Sequence, residues 1–66
     1  MKIICNGTER DVSDGIMLID LIKELDLNPE TVVVECDAKI LCREDYDHHP
    51  LKEGSILELI RFVGGG

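Results

Sequence analysis

The 66-residue sequence predicts an α+β domain, in which one main helix packs on one face of a mixed sheet of four or five strands. Three observations lead to this prediction. The length is that of one small domain. A single stretch has helical periodicity, and short segments rich in strand-forming residues lie on both sides of it. The predicted order of elements is therefore β-β-α-β-β-β.

The N-terminal segment predicts a β-hairpin. The stretches KIIC (2–5) and TERDV (8–12) are its strands, and Asn6-Gly7 between them is typical of a two-residue type I′ turn. Residues 13–15, SDG, are expected to end the second strand.

The segment IMLIDLIKELDLNP predicts the helix. Its apolar residues recur at the spacing of one amphipathic stripe, which consists of Leu18, Leu21, Ile22 and Leu25. Asp20 suits the positive end of the helix dipole, whereas Met17 is a weak N-cap. Asn28-Pro29 predicts the end of the helix, because proline disfavours helical backbone at the residue before it.

Three further strands are predicted after the helix, at TVVVEC (31–36), KILC (39–42) and ILELIRFV (56–63). Asp37-Ala38 is a tight turn between the first two of them. The connection REDYDHHPLKEGS (43–55) is polar and is expected to hold one short helical turn. The folded domain is predicted to span residues 1–63, and residues 64–66 are predicted to form a flexible glycine tail.

One helix covers only one face of the sheet, so the alternation of side chains decides what the other face carries. The last strand is expected to turn Leu57, Leu59 and Val63 toward the helix, and the first strand Ile3 and Cys5. The side chains then left on the open face are Ile4, Ile56, Glu58, Ile60 and Phe62. Of these, Ile4, Ile60 and Phe62 are predicted to form an apolar patch, which either marks a protein-docking surface or is partly covered by loops or a bulge.

Charge and hydropathy exclude several function classes. Fourteen acidic and seven basic residues give a net charge of −7 without a basic stripe, so nucleic-acid binding is not expected. An acidic surface either serves solubility or steers the chain toward a basic protein partner. No apolar run is long enough for a membrane helix, and the N-terminus has no secretory signal, which makes the cytoplasm the expected location.

Neither a metal centre nor an enzyme active site is expected. The candidate metal ligands are Cys5, Cys36, Cys42, His48 and His49, but they contain no Cys-x-x-Cys pair and the cysteines fall within predicted strands. Cys5 and Cys36 are interpreted as small core residues, and a sulfur-relay role for Cys42 stays open. Asp45, Asp47 and His48 could support acid–base chemistry, yet so short a chain has little room for a walled pocket.

The C-terminal triglycine suggests a different chemistry. A free carboxylate is a poor electrophile, but an ATP-dependent partner could convert it to an acyl-adenylate. Glycine has no Cβ, so it passes through a narrow channel and leaves the acyl carbon open to a nucleophile. The alternative interpretation is a flexible end or a linker left from cloning.

The whole chain resembles the ubiquitin-like β-grasp sulfur carriers of the ThiS/MoaD family, and most closely the ThiS-like members. The stretches that carry the resemblance are MKIICNG, DGIMLIDLIKELDL, VVVECDAKILCREDY and LKEGSILELIRFVGGG. The resemblance implies that Gly66 is adenylated by a ThiF-type enzyme and converted to a thiocarboxylate. Gly65 and Gly66 match the terminal pair of the family, and Gly64 falls at a variable position.

The resemblance also implies the partners. A sulfur donor such as a cysteine desulfurase would supply the sulfur, and thiazole synthase would use it to build the thiazole ring of thiamine. ATP would be consumed by the activating enzyme, with no cofactor bound to the chain itself. Three alternatives remain, namely a carrier for tRNA thiolation, a carrier for molybdopterin synthesis, and a non-catalytic β-grasp interaction module.

Overall fold

The computed structural model describes residues 1–61. Its elements are β1 (Lys2–Cys5), β2 (Thr8–Asp11), α1 (Leu18–Glu24), β3 (Val32–Cys36), β4 (Lys39–Leu41), a 3₁₀ turn (Arg43–Asp45) and β5 (Ile56–Arg61). The predicted order of elements is confirmed, including the short helical turn. Phe62 and Val63 of the predicted last strand, and the predicted glycine tail, lie outside the described residues.

The strands form one mixed sheet in the order β2-β1-β5-β3-β4. β1 and β5 are parallel neighbours, and the other neighbouring strands are antiparallel. The first and last strands of the chain therefore lie side by side in the middle of the sheet. Within residues 1–61, no helix has both the length and the apolar character needed to cross a membrane.

Both predicted tight turns are present, and both have the backbone of a two-residue hairpin turn. Asn6 and Gly7 have φ values of 51° and 81° and connect β1 to β2. Asp37 and Ala38 have φ values of 50° and 71° and connect β3 to β4. Two consecutive positive φ angles are the requirement of a type I′ turn, whose twist matches that of the flanking strands.

The helix ends about one turn before the predicted Asn28-Pro29 boundary. Asp26 adopts a φ of 59°, and its N–H donates to the carbonyl of Lys23 at 3.0 Å. The N–H of Leu27 donates to the carbonyl of Ile22, also at 3.0 Å. These two bonds form a Schellman motif, which terminates the helix before proline can act.

The core lies between α1 and one face of the sheet. Its fully buried side chains are Ile3, Leu18, Leu21, Ile22, Val34 and Leu57. The predicted helical stripe is thus confirmed for its first three members, whereas Leu25 at the end of the helix is half-buried. Cys5 and Leu59 are buried as well, so the predicted alternation of β1 and β5 is confirmed.

The connection at residues 43–55 contributes to the core, so its description as a polar connection is wrong in part. Tyr46 and Leu51 are buried, with exposed fractions of 2% and 3%. The Tyr46 hydroxyl donates to the carbonyl of Val32 at 2.9 Å, which ties the connection to the start of β3. Cys42 was predicted in a strand but lies just after β4 and is exposed.

Candidate functional site

β5 is the element that leads toward the glycine tail, and it is held on both sides. On one side β3 pairs with it antiparallel as far as the Val32–Arg61 pair. On the other side β1 pairs with it in parallel, through Ile4–Ile56 and Cys5–Leu57. The last described residue is therefore still part of the sheet. Gly64, Gly65 and Gly66 lie outside the described residues, and their predicted role stays a prediction.

The side chain of Asn6 extends the contact between β1 and β5. β1 ends at Cys5, yet β5 continues past Leu57. The N–H of Leu59 donates to Oδ1 of Asn6 at 2.8 Å, and Nδ2 of Asn6 donates to the Leu59 carbonyl at 3.4 Å. A turn residue thus binds the strand that leads to the tail.

The open face of the sheet carries exposed or half-buried aliphatic side chains on four strands. Ile56 and Ile60 are 53% and 55% exposed, and Ile40 on β4 is 73% exposed. Ile4 lies beside Ile56 and is half-buried, as is Val33 opposite Ile60. We name these five residues the open-face patch.

The open-face patch agrees with the predicted apolar surface and enlarges it. Ile4 and Ile60 lie on the face that sequence alternation predicted, and Phe62 lies outside the described residues. Ile56 was placed on the open face but not counted in the patch. Val33 and Ile40 were missed, because their place on this face depends on the pairing of β3 with β5 and of β4 with β3, for which the sequence carries no local signal.

Two carboxylates interrupt the open-face patch. Glu35 of β3 and Glu58 of β5 lie directly opposite each other, and Ile40 lies opposite Glu35. Neither carboxylate has an ion-pair partner among the residues that the structure describes. Like charges that face each other across a strand pair are unfavourable, so this face is acidic as well as apolar.

The buried cysteines are poorly suited to sulfur chemistry. Burial raises the pKa of the Cys5 thiol. Burial also raises the pKa of the Cys36 thiol, and the neighbouring Asp37 carboxylate adds to that effect. A thiol that stays protonated is a weak nucleophile and a weak metal ligand, which supports their interpretation as core residues. Across residues 1–61, no three potential ligands gather in a group that could hold a metal ion.

The residues considered for acid–base chemistry do not line the groove at the end of α1. A groove of about 380 Å³ lies between the end of α1 and the first hairpin. It is lined by Cys5, Asn6, Thr8, Arg10, Leu25 and Leu27. Asp45, Asp47 and His48 lie elsewhere, on the surface of the 43–55 connection. The groove lining therefore includes none of the three residues considered for acid–base chemistry.

Comparison with known proteins identifies the family. The model of the ThiS family matches residues 3–66. The chain belongs to the ThiS family. The predicted resemblance to ThiS-like sulfur carriers is thereby confirmed. The exposed sheet face and β5 therefore belong to a ThiS-family domain.

Solved structures agree with this assignment. The crystal structure of a thiamine biosynthesis protein (ThiS) from Geobacter metallireducens is 30% identical, and the match covers all of both chains with a TM-score of 0.85. An NMR solution structure of a thiamine biosynthesis protein from the same organism is 30% identical, with a TM-score of 0.82 over all of this chain and 88% of the other. The predicted ubiquitin-like β-grasp fold is confirmed.

The curated relatives are longer proteins. A protein named thiazole synthase from Paramagnetospirillum magneticum is 33% identical over 66 residues, and one from Magnetococcus marinus is 35% identical over the same length. This ThiS-family chain spans 20% of each of them.

Proposed function

We propose that this ThiS-family chain carries sulfur for thiazole formation in thiamine biosynthesis. The family match over residues 3–66 is the observation that carries the proposal. The solved relatives named thiamine biosynthesis proteins support it. A segment similar to the whole chain also occurs within proteins named thiazole synthase, which favours thiazole synthase as the acceptor of the sulfur.

The reactive group in this proposal is the carboxylate of Gly66. A ThiF-type enzyme transfers AMP from ATP to this carboxylate, and pyrophosphate leaves. The acyl-adenylate is an activated electrophile, so a persulfide sulfur from a donor such as a cysteine desulfurase attacks it, and AMP leaves as an acyl disulfide forms. A thiol reductant then cleaves the S–S bond, which leaves a thiocarboxylate on Gly66 and a disulfide between the donor and the thiol. The chain is thus a co-substrate of its partner enzymes, it binds no cofactor itself, and it acts in the cytoplasm.

The described residues support separate roles for the folded domain and for its C-terminal glycines. β5 is paired with β3 up to Arg61, so the sheet holds the chain as far as that residue. Glycines at 64, 65 and 66 carry no Cβ and can enter a narrow active-site channel. The folded part then serves as the surface by which the activating enzyme binds the carrier.

The open-face patch is the surface proposed for that binding. The proposed partner-binding residues are Ile4 and Ile60 of this patch together with Phe62, and Ile56 of the patch is also exposed. Aliphatic patches of this kind mark docking surfaces in soluble proteins. The net charge of −7 favours a partner whose facing surface is basic.

Intact-mass spectrometry tests the proposal. The protein is incubated with ATP, a ThiF-type enzyme, a sulfur donor and a thiol reductant. We expect a mass increase equal to the difference between one sulfur and one oxygen atom, which fragmentation should locate on Gly66. Deletion of Gly66, or one residue appended after it, is expected to abolish the increase while the domain stays folded. An unchanged mass of the wild-type protein would favour a plain interaction module instead.

A further inference from the structure

We infer that Asn6 is a positioning residue for the loading of sulfur. Its side-chain amide holds the C-terminal half of β5 and thereby sets the place from which the chain continues toward Gly66. The inference rests on the proposed function and adds to it a residue that is far from the tail in sequence.

The backbone of β1 supports only the first half of β5. The parallel register includes Ile4–Ile56 and Cys5–Leu57. The N–H of Asn6 then donates to the carbonyl of Leu57 at 2.9 Å. At this point the chain turns away through Asn6-Gly7 into β2. The rest of β5 therefore lacks a neighbouring strand on this edge.

The Asn6 side chain occupies the position that the next peptide group of β1 would take. A primary amide has one carbonyl acceptor and N–H donors, as a peptide group does. Oδ1 of Asn6 accepts the N–H of Leu59 at 2.8 Å, and Nδ2 donates to the carbonyl of the same residue at 3.4 Å. The side chain therefore continues the ladder for one more step.

This step matters because Leu59 is only 8% exposed. A buried N–H that loses its hydrogen-bond partner is destabilised, because it has no water to replace that partner. Without the Asn6 amide, the end of β5 would be held by β3 alone. Leu59 lies two residues before Arg61, the last residue that the structure describes. A shift of β5 at Leu59 would also move Arg61, from which the chain continues.

Asparagine combines two properties that this position requires. The φ of 51° belongs to the left-handed region, which asparagine tolerates better than most residues. Its amide also supplies the donor and the acceptor that Leu59 uses. Glycine would keep the turn without the contact, and aspartate would keep the acceptor without the donor.

The test compares Asn6→Gly with Gly7→Ala in the sulfur-loading reaction, with the concentration of carrier varied. With Asn6→Gly as the carrier, the kcat of the loading enzyme is expected to fall about tenfold, because a misplaced reacting group slows a step sharply. Its KM is expected to stay close to that of the wild type, since Ile56 and Ile60 remain on the open face. Hydrogen exchange at the Leu59 amide is expected to become faster, and Asn6→Asp is expected to give an intermediate kcat.

Gly7→Ala is the matched control, because it strains the same turn and leaves the amide in place. Gly7 has a φ of 81°, and no atom beyond Gly7 and its two chain neighbours lies within 4 Å of the added Cβ. Its kcat is expected to match that of the wild type. The inference is overturned if Asn6→Gly keeps the wild-type kcat, or if Gly7→Ala lowers kcat equally. A wild-type protein that does not load refutes the proposed function and this inference together, whereas normal wild-type loading isolates the effect of Asn6.

Discussion

At the scale of single residues, the two hairpin turns adopt the same backbone conformation with different side chains. The first turn uses Asn6-Gly7 and the second uses Asp37-Ala38, all with positive φ. Alanine is strained in this region, because its Cβ approaches the following carbonyl oxygen. The second turn is tied to β5, since the N–H of Ile56 donates to Oδ1 of Asp37 at 3.0 Å. That contact helps to hold the strained turn.

The strain at Ala38 leads to a prediction about stability. Ala38→Gly is expected to raise the free energy of unfolding by about 1 kcal/mol, because it removes the cost of a left-handed alanine. Chemical denaturation of the purified variant measures the change. The reciprocal substitution Gly7→Ala in the first turn is expected to lower the free energy of unfolding by a similar amount. A destabilised Ala38→Gly variant would contradict this account of the turn.

At this scale, a turn could be predicted where neighbouring residues alone determine its backbone conformation. Asn6-Gly7 predicts its own turn, because the pair supplies the required φ angles without help from the rest of the chain. The contact of Asn6 with Leu59 spans 53 positions of sequence and depends on the parallel register of β1 and β5. Nothing near Asn6 in the sequence indicates that register, so this second role could not be predicted.

At the scale of elements, a buried tyrosine ties the connection between β4 and β5 to the start of β3. Tyr46 is 2% exposed and donates its hydroxyl hydrogen to the carbonyl of Val32. Burial raises the pKa of Tyr46. The hydroxyl therefore stays protonated, and remains a donor, at a pH above the ordinary range of tyrosine.

Removal of the Tyr46 hydroxyl is predicted to weaken the domain. Tyr46→Phe keeps the buried ring but leaves the Val32 carbonyl without this donor, so the free energy of unfolding is expected to fall by about 1 kcal/mol. Urea denaturation at neutral pH provides the measurement. An unchanged midpoint and slope would show that the hydrogen bond contributes little.

The raised pKa of Tyr46 also predicts a dependence on alkaline pH. The folded-state pKa lies above the unfolded one, so the stabilisation is complete below the ordinary tyrosine value and is lost as pH rises toward the raised value. The chain contains one tyrosine, so its absorbance titration reports this group alone. The titration midpoint is expected to be higher in the folded than in the denatured protein. Equal midpoints would contradict the account.

The element order was predictable, and the contribution of the 43–55 connection was not. The helix has a period that can be read in the sequence, and the strands are short apolar runs between turn residues. Tyr46 and Leu51 are single apolar residues in a polar stretch, without a period that would indicate their burial. The early end of α1 also lacked a clear sequence signal, because Asp26 is less common than glycine as the left-handed residue that ends a helix.

At the scale of the whole molecule, the single helix leaves one face of the sheet without cover. The alternation of β1 and β5 predicted which residues would lie there, and Ile4 and Ile60 confirm it. The full extent of the open-face patch followed only from the sheet order β2-β1-β5-β3-β4, which brings β3 beside the last strand and β4 beside β3. Strand order is set by contacts between distant segments, so the sequence left it undetermined.

The role of this face leads to a prediction about binding. Ile60→Asp is expected to weaken binding of a ThiF-type enzyme about tenfold or more, because a charge replaces an exposed apolar contact. Its thermal unfolding is expected to change little, since Ile60 is 55% exposed. Isothermal titration calorimetry and thermal denaturation measure the two effects.

Thr8→Asp is the control for Ile60→Asp. It adds the same charge to an exposed residue of β2, on the side of the sheet that faces the helix. Binding by this variant is expected to stay close to that of the wild type. Unfolding of Ile60→Asp would instead show that Ile60 belongs to the core.

The most direct test of the central claim is the transfer of sulfur from the loaded carrier. The thiocarboxylated protein is mixed with thiazole synthase and its remaining substrates, and the intact mass of the carrier is followed over time. The account predicts that the carrier returns to its unmodified mass as thiazole product forms. A carrier that keeps its sulfur with thiazole synthase, but loses it to a tRNA-thiolating or molybdopterin-forming system, would contradict the account.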